Sequence, residues 1–598
     1  MRLAFDIEAN NLLLGLSKFH CAGVIDVDTN KEYWFRAHQS NEFLELLDEA
    51  DIIIAHNALG YDVPALTKLF DWKPKATVHC TKVMSQLLNY RRFGLGHSLK
   101  KWGQHFNSHK IDYQGGFEEF NEDMFEYMKQ DVRLLVKVYR NLMSELNQFV
   151  EKNGKSVLSA LRSEMDMDLI MSEQILNGWK FNVKEAKNLL TQIDSEMQRI
   201  ANEINPHLKT KTRRVDDAEK KLKVTKAGRY HAHILSWFRL DSECSVDGGP
   251  ILGDYSRVEF VRGDIGNTDT VKHYLYGLGW KPDDWNWKRL PDGTFIKASP
   301  KITDTSLEPL GEVGKMVSDY YTLRSRKSIL EGWFEFIDEN ERLHGDVFSI
   351  GTPTFRQTHK VIANLPSAKA KYGPEVRSLF VAEKGYKLVS ADSAACQLRL
   401  LSYYMNDPKF HKELMEGDIH GINAKVLDCT REQAKRFIFA YLYGAGARKL
   451  SGYIGKDINS TKKSINNYKK TFPKLARLIK RINNVVEHRG FIHGLDDRPI
   501  CLKRDEQHKA LNYLIQGAEA IIMKRTVVMI HKELTKANIN FRILLFYHDE
   551  VTYEVIEDQA EKAKEIIMRC FEEAPKEVGV MFMNCGDCKI GDNYYEVH

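Results

Sequence analysis

The hydrophobic and polar positions divide the chain into three stretches of different rhythm. In residues 1–145, strand and helix patterns alternate. Leu3-Ala4-Phe5-Asp6-Ile7-Glu8 is a strand with acids at alternate positions, so Asp6 and Glu8 fall on one face. Asp51-Ile52-Ile53-Ile54-Ala55-His56-Asn57 is a buried strand that runs through Gly60-Tyr61 into a helix contributing Asp62. Glu126-Tyr127-Met128-Lys129-Gln130-Asp131 lies in an amphipathic helix, where Tyr127 and Asp131, four apart, share a face.

Residues 146–336 are mostly helical by periodicity, most clearly at 160–177 and 183–204, with a turn at Gly178-Trp179-Lys180-Phe181-Asn182 and helix again at 318–337. The rhythm breaks at 206–255 into a basic run (Lys209, Lys211, Arg213, Arg214, Lys220, Lys221, Lys223, Lys226) and then a Gly-rich stretch ending at Asp254. That pattern fits an inserted loop or a small appended subdomain.

In residues 337–598 two apolar runs, Leu544-Leu545-Phe546-Tyr547 and Val551-Thr552-Tyr553-Glu554-Val555, flank His548-Asp549-Glu550. The pattern predicts a β-hairpin with Asp549 and Glu550 at its tip. Upstream, Lys387-Leu388-Val389-Ser390-Ala391-Asp392 is a short apolar run ending in a carboxylate. A helix over 431–444 carries Arg431, Lys435, Phe439 and Tyr443 every four residues. Each such step turns about 400°, so the four line one slowly winding face.

With 598 residues, 43% hydrophobic and 28% charged, the chain is long enough for several domains and has ordinary globular composition. Net charge is only +5, yet cations crowd the run above and recur between Lys462 and Arg481, as a polyanion partner requires and as a solvated face also shows. Nine scattered cysteines fit reduced thiols and a cytoplasmic location. Cys585-Gly586-Asp587-Cys588 is a lone CxxC, short of the four ligands that zinc takes. No apolar run is long enough to span a membrane.

Adjacent carboxylates at about 4 Å repel by roughly 4 kcal/mol at an effective dielectric of 20. A divalent cation removes that cost, and hard cations select oxygen ligands. Taken alone, the hairpin is equally a turn with two solvated acids. Beside the Asp392 strand it becomes half of a two-metal phosphoryl-transfer site, with Asp392 and Asp549 meeting at one end of a sheet. Two cations followed by two aromatics along the 431–444 face can grip a triphosphate at one end and stack on a base at the other.

The ordered set of Asp6-Ile7-Glu8, then His56-Asn57 with Gly60-Tyr61-Asp62, then Tyr127 with Asp131 resembles the tyrosine-bearing DEDD exonucleases. That resemblance implies hydrolysis of a 3′-terminal phosphodiester, with Asp6, Glu8, Asp62 and Asp131 holding metals and Tyr127 orienting the attacking water. Further on, Ala391-Asp392-Ser393-Ala394-Ala395-Cys396-Gln397-Leu398-Arg399, the Arg431–Gly444 pattern and His548-Asp549-Glu550 resemble motifs A, B and C of family A DNA polymerases, above all the replicative enzymes of short-tailed phages.

The resemblance implies an RNase H-like exonuclease domain (1–145) and a right hand. The thumb would occupy 146–336 with an insertion at about 206–255, the fingers 405–510, and the palm 337–404 and 511–598. It implies two magnesium ions in each site, with manganese as a substitute. Asp392, Asp549 and the Ser393 carbonyl would hold the polymerase pair. His420, Arg431 and Lys435 would bind the triphosphate, with Lys435 neutralising developing charge. Phe439 would stack on the nucleotide, and Tyr443 with Gly444 would pack beside the templating pair. Arg356, Arg498, Asn512 and Gln516 would contact the primer–template minor groove, with His548 near the primer terminus and Glu550 in support.

Gln397 stands where motif A normally carries a Glu that blocks the ribose 2′-hydroxyl. Its amide oxygen can still accept a hydrogen bond from Tyr443, so sugar discrimination is expected to survive in looser form. The implied partners are primer–template DNA, dNTPs, a replisome helicase–primase and a processivity factor, such as host thioredoxin, at 206–255, the enzyme itself being a monomer. The competing readings are a polymerase with relaxed sugar choice and a decayed primer–template-binding protein that keeps its exonuclease.

Overall fold

The computed structural model describes every residue except 109–112, 215–221, 242, 243, 245, 248, 252, 254–257, 293 and 363–364, with the backbone alone at 211–214, 237 and 258–259. Lys220, Lys221 and Asp254, singled out above, lie outside the described residues. The chain forms two compact units: Met1–Val183 with Trp333–His598, and Lys184–Gly332.

The first unit begins with a five-stranded mixed sheet ordered Glu32–Arg36, Phe19–Asp26, Arg2–Ala9, Ile52–Ala55, Thr77–Cys80. The central strand Arg2–Ala9 is antiparallel to Phe19–Asp26 and parallel to Ile52–Ala55. Both of its faces are covered, so Leu3, Ala4, Phe5 and Ile7 are buried. The long helix Glu122–Asn153 packs across it through Met128, Val132, Leu135 and Tyr139, opened by Asn121, which accepts from Met124 N at 2.8 Å. The boundary expected at 145–146 falls inside this helix, because its apolar stripe continues to Leu146. Gln86 Nε2 donates to the Ile350 carbonyl (3.2 Å), and Tyr90 OH to that of Gly351 (2.8 Å), joining this sheet region to the C-terminal part of the same unit.

That part is built on a four-stranded antiparallel sheet ordered Phe541–Tyr547, Glu550–Ile556, Tyr386–Ser393, Cys585–Gly591. Alternation sends Val389, Ala391, Val551, Tyr553 and Val555 into a core shared with the helices Ala510–Lys536 and Ala560–Glu573. Each fully buried aliphatic side chain there contributes about 1.5–3 kcal/mol. Six helices between Pro408 and Arg489 and the short hairpin Phe491–His493/Pro499–Cys501 lie between the Tyr386–Ser393 strand and the Ala510–Lys536 helix in sequence. The helix Ser156–Asn177, expected within the thumb, belongs to this first unit. Its Glu164 is buried against Arg498 and Lys524, and Asn177 Nδ2 donates to the Ile543 carbonyl at 3.0 Å.

The second unit is framed by the helices Val183–Ile204 and Gly311–Trp333, tied by Lys327 Nζ to Asp194 at 2.6 Å. The stretch at 206–255 belongs to a small subdomain rather than a plain loop. A ribbon, Lys211–Arg214 with Val258–Val261, closes its base, and Tyr230, Ile234 and Ile251 form a separate apolar cluster. A second ribbon, Trp285–Arg289 with Phe295–Pro300, interrupts what helical periodicity had predicted. Among the described residues no helix is long and apolar enough to cross a membrane.

Candidate active sites

The strands Tyr386–Ser393 and Glu550–Ile556 pair with Asp392 opposite Glu550. Tyr547 also lies opposite Glu550, so the hairpin turns at His548-Asp549, with His548 at φ 58°. The tip is therefore one residue earlier than the expected Asp549-Glu550. Glu550 begins the strand, buried, and accepts from Ser390 Oγ and Tyr594 OH, each at 3.1 Å.

Ser393 N donates to the Asp549 carbonyl at 3.0 Å, which fixes the two sequence-distant acids at the same end of the sheet. Asp392 is exposed and accepts from Asp587 N at 2.8 Å. Burial, then the nearby carboxylates of Glu519, Asp392 and Glu550, push the Asp549 carboxyl up to about 6. A carboxylate whose charge is disfavoured by burial and by neighbouring acids is one that a hard divalent cation would stabilise.

The helix Ala510–Lys536 presents Asn512, Gln516 and Glu519 at helical spacing behind this point. Glu519 is fully buried. One of its oxygens accepts from Gln397 Nε2 at 3.1 Å, and the other is paired with the Arg356 guanidinium. Tyr443 OH donates to Gln397 Oε1 at 2.8 Å, the bond anticipated from the amide's chemistry. Tyr443, Gln397, Glu519 and Arg356 thus form one continuous polar relay. His548 and His359 are held neutral: burial lowers both to about 4, with Arg356 adding to the effect on His548 and His548 to that on His359.

The helix Arg431–Leu442 opens with a Thr430–Gln433 capping box. It buries Ala434, Phe437, Ile438 and Leu442. The opposite face therefore stays open: Arg431 and Lys435 are exposed, Phe439 is half-buried and Tyr443 is 42% exposed. Gly444 ends the helix at φ 78°, where a Cβ would stand 2.6 Å from the His508 carbonyl. Burial, then Arg431 and Lys435, lower the pKa of His420, so that imidazole lies beside the two cations and stays neutral. Arg431 Nε is meanwhile 3.2 Å from Asp418 Oδ2 in an exposed ion pair.

Arg498 departs from its expected place on DNA. It is fully buried, donates from Nε and Nη2 to Asp496 at 2.8 Å each, and is ion-paired with Glu164. Its guanidinium lies 4.9 Å from the Phe355 ring centre, so it braces the fold. Arg356 is itself part of the relay, Gln516 Oε1 lies 3.5 Å from Thr354 Oγ1, and Asn512, one helical turn before Gln516, has an Oδ1 with no hydrogen-bond partner among the described residues.

A second cluster lies on the N-terminal sheet. Asp6 and Glu8 come from the central strand, Asp62 opens the helix Asp62–Phe70, and Tyr127 and Asp131 come from Glu122–Asn153. All five line one cavity of about 550 Å³ together with His56 and Lys82. Burial pushes the Asp62 carboxyl well above the usual carboxylate range. The Tyr61 hydroxyl is raised by burial and by Asp62, Glu8 and Asp6. Carboxylate oxygens are the donors that divalent cations take, but among the described residues no three His, Cys, Asp or Glu side chains stand together as a metal site, here or at Asp392 and Asp549.

Residues 286–596, more than half of the chain, match the model of DNA polymerase family A. The chain belongs to this family. It is 24% identical to the DNA-directed DNA polymerase of Enterobacteria phage T3 over an alignment of 717 positions covering 100% of both chains. It is 25% identical to that of Escherichia phage T7, with 96% of each covered. The POL domain of Pol1 from M. smegmatis, solved in complex with DNA primer-template and dNTP, shares the fold at a TM-score of 0.75 and 14% identity, over 100% of this chain and 96% of that one.

In this family A polymerase, sequence reasoning overlooked Glu519. The available signal is an acid inside the otherwise apolar Ala518-Glu519-Ala520-Ile521-Ile522-Met523, three residues after Gln516. It also overlooked the Asp587 amide, which holds Asp392. Cys585 and Cys588 sit on that same strand with their thiols in hydrogen-bonding reach of each other, and no described group of three or more ligands joins them to hold a metal.

Proposed function

We propose that this family A chain extends a primer along a DNA template with dNTPs, and that its N-terminal cluster removes 3′-terminal nucleotides. The observation supporting synthesis most directly is the Ser393–Asp549 backbone hydrogen bond, which brings Asp392 and Asp549 to one end of the sheet. In the forward step the primer 3′-oxygen bonds to the α-phosphorus, the α–β bridging P–O bond breaks, pyrophosphate leaves, and the hydroxyl proton passes to solvent. Two magnesium ions, or manganese in their place, held by Asp392, Asp549 and the Ser393 carbonyl would activate the 3′-hydroxyl and stabilise the charge on phosphate.

The chain's own groups do the rest. Lys435, Arg431 and His420 bind the triphosphate, and Lys435 balances the charge that grows on the leaving pyrophosphate. Arg431 releases Asp418 to do so, at small cost because the pair is exposed and screened by water. Phe439 stacks on the incoming nucleotide, and Tyr443 and Gly444 border the templating pair. Gln397, fixed between Tyr443 and Glu519, bars the 2′-hydroxyl. Arg356, Asn512, Gln516 and His548 meet the primer–template.

At the N-terminal cluster, Asp6, Glu8, Asp62 and Asp131 would hold a second pair of magnesium ions. Tyr127 orients the water whose oxygen bonds to the terminal phosphorus as the primer's 3′-oxygen departs. In the cell the enzyme is read as a cytoplasmic monomer working with a helicase–primase, and with a processivity factor at the 206–255 subdomain. Extension of a primed single-stranded circle with magnesium, with and without thioredoxin and at high salt, tests this. Full-length product is expected, and no extension under any condition would overturn the reading.

A further inference from the structure

The ribbon Trp285–Arg289/Phe295–Pro300 is open on both sides, with Trp287 50%, Phe295 63% and Ile296 44% exposed. A two-stranded ribbon is marginally stable by itself, and large apolar side chains gathered on an open surface mark a contact site. Register sorts the ribbon's side chains. Trp287 is opposite Lys297, Arg289 is opposite Phe295, and after a bulge Trp285 is opposite Pro300, so one face interleaves rings with cations. The Lys297 ammonium lies 4.9 Å from the centre of the Trp285 ring.

Charge decides what kind of partner fits. Asp284 pairs with Lys301 at 2.8 Å, while Asp283 and Asp292 accept from threonine hydroxyls and keep their charge, so residues 281–301 carry five cations against three carboxylates. Among the described residues no carboxylate pairs with Lys288, Arg289 or Lys297, which leaves the ribbon cationic. Exposed aromatic planes interleaved with unpaired cations are the chemistry that holds single-stranded nucleic acid, by stacking of bases and neutralisation of phosphates.

We propose that this ribbon is a binding site for single-stranded nucleic acid, with bases stacking on Trp287 and Phe295 and phosphates meeting Arg289 and Lys297. The site lies outside the residues assigned to nucleotide joining. It rests on the polymerase reading only in that a template supplies the single strand.

The test uses the full chain in EDTA, its polymerase cleft saturated with unlabelled hairpin primer–template, titrated with a fluorescein-labelled 20-mer of dT. W287A/F295A is expected to weaken oligonucleotide binding at least tenfold, while W287F/F295Y, which keeps the rings, retains it. R289Q/K297Q is expected to lower the slope of log affinity against log salt by about 1.4, at roughly 0.7 per phosphate contact on a single strand. Extension of a short-overhang primer–template should be unchanged in all three. Affinity and slope equal to the parent in both loss variants would overturn the proposal, as would loss of binding shared equally by W287F/F295Y. Failure of the parent itself to extend the short template would count against the polymerase reading and leave the oligonucleotide measurement to judge the ribbon.

Discussion

Gln397 Nε2 donates to Glu519 Oε1 at 3.1 Å, which sets a buried carboxylate of the helix Ala510–Lys536 directly against the Gln397 amide. Arg356 balances its charge, and Tyr443 completes the relay from the other side. Gln397→Glu alone would set two carboxylates at hydrogen-bond distance, a repulsion of roughly 4 kcal/mol at about 4 Å and an effective dielectric of 20. Single-nucleotide incorporation is expected to fall at least tenfold in kcat/KM. Combining it with Glu519→Gln exchanges the two groups and should restore most of the rate. Glu519→Ala frees the Gln397 amide, and the preference for dNTP over rNTP should drop about tenfold. The parent enzyme itself is expected to prefer dNTPs, and near-equal rates for the two sugars would contradict that.

The two acid clusters occupy different sheets, and each should therefore fail alone. Asp549→Ala or Asp392→Ala is expected to reduce primer extension by at least a thousandfold, leaving degradation of a 3′-labelled single strand intact. Asp6→Ala with Glu8→Ala should do the converse. Loss of both activities from either change would mean that the clusters do not work as separate sites.

The parts of these sites that lie on regular elements could be read in the sequence, because a strand or helix period fixes which side chains share a face. Arg431, Lys435, Phe439 and Tyr443 follow from a four-residue step whose opposite face is apolar, and Asp6 and Glu8 from simple alternation. The hairpin tip could not be placed to the residue. Its register depends on His548 adopting a left-handed conformation, which His-Asp-Glu does not announce. Arg498 misled because its partner Glu164 is 334 residues away, and only the packed fold shows the arginine enclosed. The ribbon at 285–300 was missed although Pro291-Asp292-Gly293 is a turn signal, since helical periodicity on both sides dominated the window.

Asp549 makes the protein's stability depend on pH. Its folded pKa of about 6 lies above the ordinary 3.8, so the fold favours the protonated carboxyl. That stability is full below about pH 4 and is lost as pH rises through 6, amounting to at most about 3 kcal/mol. In EDTA at pH 7.5, Asp549→Asn should therefore raise the urea midpoint relative to the parent, and the difference should vanish near pH 4. Magnesium should stabilise the parent at neutral pH and do so less for the variant. A variant less stable than the parent at pH 7.5 in EDTA would show that the acids do not crowd one another.

Glu164 holds together three parts of the first unit. Fully buried, it accepts from Lys524 Nζ at 2.6 Å and pairs with Arg498, while Asp496 takes the other side of Arg498 and approaches Arg525 at 3.5 Å. Burial lowers the pKa of Lys524, and Glu164 opposes that shift. Removing one member of such a group leaves an uncompensated charge in the interior, at a cost of about 3–5 kcal/mol. Glu164→Ala and Arg498→Met are both expected to lower the free energy of unfolding in urea by about 3–5 kcal/mol. Where both remain folded, their affinity for primer–template should stay within about twofold of the parent. An Arg498→Met protein of parental stability that bound primer–template ten times more weakly would return this arginine to the DNA surface and overturn its structural assignment.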